Sequence, residues 1–340
     1  MKLAIHHSNN SFSEPWIRYC EESSISYTVV NCFDNDIIQQ LKDCDALMWH
    51  HHHGDYKDIE LAKPLLFSLE QAGFKVFPDF NANWHFDNKL AQKYLLEAVE
   101  APLVKSYAFY TKEEALAWAE TTTYPKVFKL KGGAGAQNVK LAKNRKEAVK
   151  LINKSFGKGW PAFDKVNYFK ERMNKFSEGK EGIISITKAF GRLIIPIENI
   201  KYMPVEKGYA YFQEFIPNND SDIRVIVIGD KAFAIKRMVR KGDFRASGSG
   251  NIIYEKSAID ERCLKIAFET SKKLNTQCLA YDFVFDADNN PLVVEVSYGF
   301  SMAGYSDCPG FWGAELNWHQ GVFNPYCWMV DNLIKDIEYS

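Results

Sequence analysis

Four short apolar runs open the chain, at Lys2–Ile5, Tyr27–Val30, Ala46–Trp49 and Lys75–Phe77. The stretches between them, Glu14–Glu22, Asn35–Leu41 and about Ile59 to Ala72, carry helical spacing, and Gly73 closes the last of these. Strands separated by helices cannot pair as hairpins. They predict a parallel sheet with right-handed crossovers, a small doubly wound domain. Beyond residue 88 the pattern changes. Helices are expected over Asn88–Val99, Lys112–Glu120, Lys146–Ile152, Glu261–Leu274 and Pro325–Ile337. Strands are expected at Leu103–Ala108, Lys126–Leu130, Asn138–Leu141, Gly182–Lys188, Arg192–Pro196 and Tyr209–Phe215. Further strands are expected at Ile223–Ile228, Lys231–Val239, a return after Gly250, Leu279–Phe285 and Leu292–Val296. The turn Asp288-Asn289-Asn290-Pro291 joins the last two antiparallel. Gly157–Gly182 is the least regular stretch and reads as an insertion. The fold class is α/β (α+β): a parallel amino-terminal layer, then antiparallel sheets.

At 340 residues the chain is long enough for two domains. Hydrophobic residues at 46% and charged residues at 25% exclude a disordered, collagen-like or coiled-coil chain. Lys+Arg 42 against Asp+Glu 43 leaves a net charge of −1, so no bulk attraction to nucleic acid or anionic membrane is expected. No apolar stretch approaches the ~20 residues of a membrane span, and the start MKLAIHHSNN is no signal peptide. The seven cysteines are odd in number and scattered, with no CxxC pair, which argues against a disulfide or zinc framework. A reducing cytoplasm is the expected compartment.

There is no P-loop, and no Gly-x-Gly-x-x-Gly follows the first strand. The run Lys129-Leu130-Lys131-Gly132-Gly133-Ala134-Gly135 offers another device: glycines let backbone N–H groups approach a phosphate while a lysine adds a point charge. An ordinary hairpin turn fits it equally. Asp282 and Glu295 each interrupt an apolar strand of the last hairpin, so both fall at half-buried facing positions. Either a divalent cation separates them or a nearby lysine neutralises one. Arg224, Lys236, Arg237, Arg240, Lys241 and Arg245 cluster on and around one strand pair, as a solvated face or as a clamp for a triphosphate. Seven of the eight histidines precede residue 86, with His6, His7 and His50 to His53 at the carboxyl ends of strands, where ligands of open parallel sheets bind. Loop packing, substrate hydrogen bonding and a metal site are the readings for them. The aromatic stretch Cys308–His319 either walls an acceptor site or closes a core.

In combination and in this order, these features resemble the ATP-grasp superfamily from about Asp87 to Phe300, nearest the ribosomal-protein glutamate ligases and, more loosely, glutathione synthetase and D-alanine–D-alanine ligase. The segments that carry the resemblance are Asp87-Asn88-Lys89, Tyr124-Pro125-Lys126-Val127-Phe128-Lys129, Phe212-Gln213-Glu214-Phe215-Ile216, Asp222-Ile223-Arg224 and Gly242-Asp243-Phe244-Arg245. The resemblance implies residues 1–85 as a Rossmann-like pre-ATP-grasp domain and 86–340 as the ATP-grasp domain, with a lid over about 105–212 and a catalytic core over about 213–340. It implies ATP between the lobes, held by Lys89, Lys129, Gly132, Gly133, Gly135, Gln213, Glu214, Phe215 and Ile216. It implies Arg224, Arg237 and Arg245 on phosphate or acyl phosphate, and Mg²⁺ or Mn²⁺ on Asp282, Glu295 and Ser297. Ser297 departs from the pattern: the family's Glu-Val-Asn is here Glu295-Val296-Ser297, which makes the third ligand a hydroxyl or removes it. The implied activity is an ATP-dependent carboxylate–amine ligase acting through an acyl phosphate, as monomer or homodimer. Its substrates would be a small-molecule, sugar-acid or peptide carboxylate and an amine acceptor. A nucleotide-binding regulatory module and a small-molecule kinase are the alternatives.

Overall fold

A computed structural model describes residues 1–133, 138–161, 169, 172, 173, 176, 182–194, 202–240, 244–246 and 250–339. Up to residue 106 its elements are β1 (Leu3–His6), α1 (Ser13–Glu22), β2 (Tyr27–Val30), α2 (Ile37–Gln40), β3 (Ala46–Met48), α3 (Tyr56–Gln71), β4 (Lys75–Phe77), α4 (Phe80–Asn83) and α5 (Lys89–Ala98). Next come β5 (Ser106–Phe109), α6 (Lys112–Thr121), β6 (Lys126–Lys129), β7 (Val139–Ala142), α7 (Arg145–Ser155), α8 (Ile183–Ile194) and β8 (Ala210–Glu214). The rest is β9 (Ser221–Ile228), β10 (Lys231–Met238), β11 (Ile252–Ile253), α9 (Glu261–Leu274), β12 (Cys278–Phe285), β13 (Pro291–Ser297), β14 (Gly310–Gly313), β15 (Trp318–Gln320) and α10 (Pro325–Glu338). The chain divides into two units, one of residues 1–51, 61–106 and 216–340, the other of 52–60 and 107–215.

The first unit holds two sheets. Strands β2-β1-β3-β4 lie in that order, all parallel. Strands β13-β12-β9-β10-β14-β15 form the second sheet, with β11 paired to β10. Period-two alternation divides the second sheet's residues between its faces. On one face Ile223, Val225, Val227, Ala232, Ala234, Leu279 and Tyr281 pack with Cys263, Leu264 and Ala267 of α9. On the other, Ile226, Ile228, Phe233, Ile235, Cys278 and Ala280 share one core with Leu3 and Ile5 of β1, Trp16 of α1 and Leu333 of α10. A fully buried side chain of this size contributes about 1.5–3 kcal/mol by leaving water. The parallel sheet is therefore fastened to the second sheet by a shared core. Its outer layer is a separate cluster in which Leu47 and Trp49 meet Leu65 and Leu66 of α3.

In the second unit, strands β5-β8-β6-β7 form one sheet. Phe128, Leu130, Ala210 and Phe212 pack from it onto Ala115 and Ala119 of α6 and Ala148 and Ile152 of α7. The strands expected at Gly182–Lys188 and Arg192–Pro196 are not strands: Ile183–Ile194 is helical, and residues 195 and 196 lie outside the described residues. The β-branched run Ile183-Ile184-Ser185-Ile186-Thr187 favours a strand locally, but apolar residues at 183, 186, 190 and 193 keep the helical repeat, and that period wins. Most of the irregular 157–182 stretch also lies outside the described residues. No helix among the described residues is long and apolar enough to cross a membrane.

One half-buried carboxylate gives the first unit a testable pH dependence. Asp79 caps α4, accepting from the Ala82 N–H at 2.9 Å, while its own N–H donates to Gln277 Oε1 at 3.0 Å. Burial pushes its carboxyl up to about 7; the Ala82 N–H opposes the shift, and Glu70 and Asp336 add to it. The folded chain thus keeps a proton that the unfolded chain releases near 3.8. The resulting stability is fully present below the unfolded value and is lost as pH rises through about 7. Asp79→Asn keeps the capping oxygen without the charge. The variant is expected to gain on the wild type by up to ~1.4 kcal/mol per pH unit between about pH 4 and pH 7. Urea denaturation of both proteins across that range measures the gap, and parallel profiles would refute the burial of an ionisable Asp79.

Candidate functional site

The core-facing side of the second sheet turns polar toward one end of its strands. On β9 the residues on that side run Asp222, Arg224, Ile226, Ile228, so charge gives way to core along a single strand. Register then fixes the partners: Arg237 of β10 lies opposite Asp222, Asp282 of β12 opposite Arg224, and Glu295 of β13 opposite Asp282. Arg224 donates through Nε and Nη2 to the two oxygens of Asp282, both at 2.6 Å. Arg237 does the same to Asp222 at 2.7 and 2.6 Å, and its Nη2 also reaches Asp282 Oδ2 at 2.9 Å. Carboxylates and guanidiniums therefore alternate across three strands.

Electrostatics follow from that alternation. Burial would raise the Asp282 carboxyl, but Arg224 and Arg237 reverse the effect and hold it well below the usual carboxylate range. Asp222 bonds one guanidinium rather than two; burial pushes it up to about 6, against the pull of Arg237 and the charge of Arg224 and with the charge of Asp282 adding to the rise. Beside the network stands Lys89, on the first turn of α5, whose start is capped by the Asn88 side chain accepting from Ala91 N–H at 3.1 Å. Lys89 Nζ lies 3.7 Å from Glu295 Oε2. One turn later Gln92 accepts from the Val296 N–H at 3.4 Å and donates to the His85 carbonyl at 3.1 Å, which ties the helix to β13 beside Glu295. Ser297 Oγ donates to the Gly299 carbonyl at 2.7 Å.

The second unit carries its own lysine pair. Lys129, buried on β6, donates to Gln213 Oε1 of β8 at 2.6 Å. Lys126 is 1% exposed and donates to Glu214 Oε2 at 2.8 Å, while Tyr107 donates to the other Glu214 oxygen at 2.7 Å. After β6 the Lys131 N–H donates to Glu206 Oε2 at 3.0 Å and the Gly132 N–H to Glu206 Oε1 at 3.2 Å. Tyr209 bonds the same carboxylate and accepts from Lys131 N–H at 2.6 Å. Two amides of the glycine-rich run are thus held by an internal anion. Gly133 has φ +101°, and a side chain there would collide with the Asn138 amide, so only glycine fits.

Of the residues singled out in the sequence, Lys89, Arg224, Arg237, Asp282, Glu295 and Ser297 fall together in the first unit. Lys129, Gly132, Gly133, Gln213, Glu214 and Phe215 belong to the second, and the chain re-enters the first at Ile216. Arg245 lies beside the Phe244 ring, and Gly135 is outside the described residues. Both hairpin carboxylates are charge-paired: Asp282 with two arginines, Glu295 with a lysine. His6 accepts from the Cys32 N–H at 2.9 Å, His51 pairs with Asn83 at 2.8 Å, and His50 accepts from Phe12 N–H while its ring stacks on Phe12 at 3.6 Å. These three histidines are buried and bonded to neighbouring loops and helices of the first unit. Trp312, in the stretch that either walled a site or closed a core, is 1% exposed in the core against α9. Sequence reasoning missed Asp222, Gln92 and Glu206. Two faint signals existed: Asp222 precedes Arg224 by two on one strand, and Gln92 follows Lys89 by one helical turn.

The donor chemistry fits a hard divalent cation in a restricted way. Among the described residues no three His, Cys, Asp or Glu side chains come together as a metal cluster. Asp282 gives both oxygens to guanidiniums. Glu295, a third exposed, has one lysine at ion-pair distance among the described residues, and Ser297 keeps lone pairs after donating its proton. A cation here would draw on these few oxygens and otherwise on phosphate and water, the usual habit of Mg²⁺.

Comparison with known proteins follows the same lines. Residues 87–181 match the carbamoyl-phosphate synthase L chain ATP-binding domain, and residues 196–308 match the RimK-like ATP-grasp domain. The chain is 23% identical over 231 residues to the alpha-aminoadipate–LysW ligase LysX of Saccharolobus solfataricus, covering 68% of each protein. D-alanine–D-alanine ligase from Bacillus anthracis superposes with a TM-score of 0.56 at 15% identity, over 100% of this chain and 98% of that one. The ATP-grasp ligase PsnB, solved with precursor peptide PsnA2 and AMPPNP, gives 0.54 at 13% identity over 99% and 98%. The fold is that of the ATP-grasp proteins, and both family matches are to domains of that ATP-binding kind. Over residues 196–308 it is RimK-like, and the three relatives just named are ligases.

The charge alternation makes a direct prediction. Asp282→Ala leaves two buried guanidiniums facing each other without their shared counterion, and is expected to cost about 3–5 kcal/mol of unfolding free energy. Denaturant titration reads this, and a loss below about 1 kcal/mol would show that Asp282 is not their counterion.

Proposed function

We propose that the chain is an ATP-dependent carboxylate–amine ligase that forms an amide through an acyl-phosphate intermediate. The observation that carries this reading is the face on which Lys89, Arg224 and Arg237 gather around Asp222, Asp282 and Glu295, three cations against three anions. Such a face is locally neutral while its cationic groups are held in place, so a polyphosphate meets aligned donors without a large change in protein conformation. Lys89 and the arginines neutralise negative charge as the γ-phosphoryl passes to a substrate carboxylate. The amine then attacks the acyl carbon, with Arg224, Arg237 and Arg245 available to the developing oxyanion; the acyl C–O bond breaks, inorganic phosphate leaves and the amine loses a proton as the amide forms. Glu295, with Ser297 and Asp282, would hold Mg²⁺, or Mn²⁺ in its place. Such an ion, when bound, supplies charge neutralisation on the phosphates. By their place in the ATP-grasp pattern, Lys129 and Gln213 are assigned to nucleotide binding, with Glu214–Ile216 offering backbone groups to the base. The molecules named for the relatives, alpha-aminoadipate with LysW, D-alanine and a precursor peptide, support a small-molecule or peptide carboxylate and an amine acceptor. Seven cysteines with no disulfide among the described residues suit a reducing cytoplasm.

One observation favours a second reading. Asp282 is enclosed by guanidiniums and the family's asparagine is Ser297, which suits a module that binds nucleotide without turnover. A single screen separates the readings. ADP release with Mg²⁺-ATP is followed over pools of carboxylates and amines, each alone and in pairs. Release that requires both pools, and that falls about a hundredfold in Glu295→Gln, is the expected outcome. Nucleotide binding with no release selects the module. A phosphorylated product with no amide selects a kinase.

A further inference from the structure

We propose that Asp222 is a positioning residue that orients Arg237 toward an anionic ligand, an inference that rests on the phosphate-binding reading of this face. Asp222 and Arg237 are register partners on β9 and β10, and both Asp222 oxygens accept from one edge of the guanidinium, Nε at 2.7 Å and Nη2 at 2.6 Å. The same Nη2 reaches Asp282 at 2.9 Å, so two carboxylates fix the plane of a group that is 8% exposed. With Nε and Nη2 occupied, Nη1 is the one guanidinium nitrogen without a partner among the described residues. Arg224 is held likewise, by Nε and Nη2 on Asp282. The two arginines thus have the same edge engaged.

A fork of this kind removes the rotational freedom of a long side chain before a ligand arrives, which is what preorganisation requires. It also has an electrostatic cost. A carboxylate beside an anion site repels the anion, so the charge of Asp222 by itself weakens phosphate binding. Geometry and charge therefore pull in opposite directions, and the sign of one measurement separates them. If Asp222 serves by orienting Arg237, its removal weakens anion binding. If it serves only as a counterion or a core polar group, removal leaves the affinity unchanged or tightens it.

The test is a double-mutant cycle on the full chain, read by calorimetric binding of Mg²⁺-AMPPNP and, separately, of inorganic tripolyphosphate. Asp222→Asn keeps one acceptor and loses both the charge and the two-pronged contact. It is expected to weaken both probes about tenfold. In an Arg237→Lys background, where no planar fork exists to orient, the same change is expected to have less than a twofold effect. Equal weakening in both backgrounds, unchanged affinity, or tighter binding by Asp222→Asn would each overturn the proposal. Thermal unfolding accompanies every variant. Should Asp222→Asn not fold, Asp222→Glu, which keeps the charge but shifts the carboxylate by one methylene, is read in the same cycle with the same expected direction. A wild type that binds neither probe overturns the phosphate reading and this proposal together; a wild type that binds both, without coupling between residues 222 and 237, overturns this proposal alone.

Discussion

Everything on the polar face depends on which residues the antiparallel register sets opposite one another. Asp282 lies between Arg224 and Glu295 because β12 pairs with β9 on one side and β13 on the other, and Asp222 meets Arg237 because β9 also pairs with β10. A slip of one residue on β9 would send Asp222 and Arg224 to the face packed on α9 and bring Ile223 and Val225 out in their place. The apolar half of the same strands prevents that slip. Ile226, Ile228, Ala280 and Cys278 lock the alignment in the shared core, and the charged half inherits it. The core is thus what specifies the geometry of the charges, and the charges contribute little to specifying the fold.

Buried ion pairs of this type are poor sources of stability, because desolvation offsets much of their attraction. Their value here is local neutrality with fixed geometry. Asp282 is the central element: both arginines converge on it, and its carboxyl is held ionised by them after burial would have raised it. The second unit repeats the device on a smaller scale. Lys126 is held by Glu214, Lys129 by Gln213, and the amides of Lys131 and Gly132 by Glu206. In each case a cationic or N–H group that suits phosphate already has a protein partner.

Much of this was legible in the sequence because the signals were local. The alternation of strand and helix before residue 80 gave the parallel sheet, and the turn at 288–291 gave the last hairpin and so the facing of Asp282 and Glu295. A charge inside an apolar strand is conspicuous, which is why those two stood out. The pairing of β9 with both β10 and β12 is different. Arg224 and Asp282 are 58 residues apart, and no periodicity reports which of two strands lies beside a third. Asp222 accordingly drew no role of its own beside Arg224, and Glu206, just before the strand expected at Tyr209–Phe215, drew none. The helix at Ile183–Ile194 was obscured by β-branched residues whose local preference ran against the longer apolar repeat.

The shared core of the first unit has a consequence for how the protein is made. Leu3, Ile5 and Trp16 are synthesised some two hundred residues or more before their packing partners on β9, β10, β12 and α10. The second unit, nearly all of it within residues 107–215, has its whole sheet available well before then. Vectorial synthesis therefore completes the later-starting body first and leaves the layer of β1 and α1 with an uncovered apolar flank until α10 has been made, the interval in which a nascent protein of this design most needs chaperones.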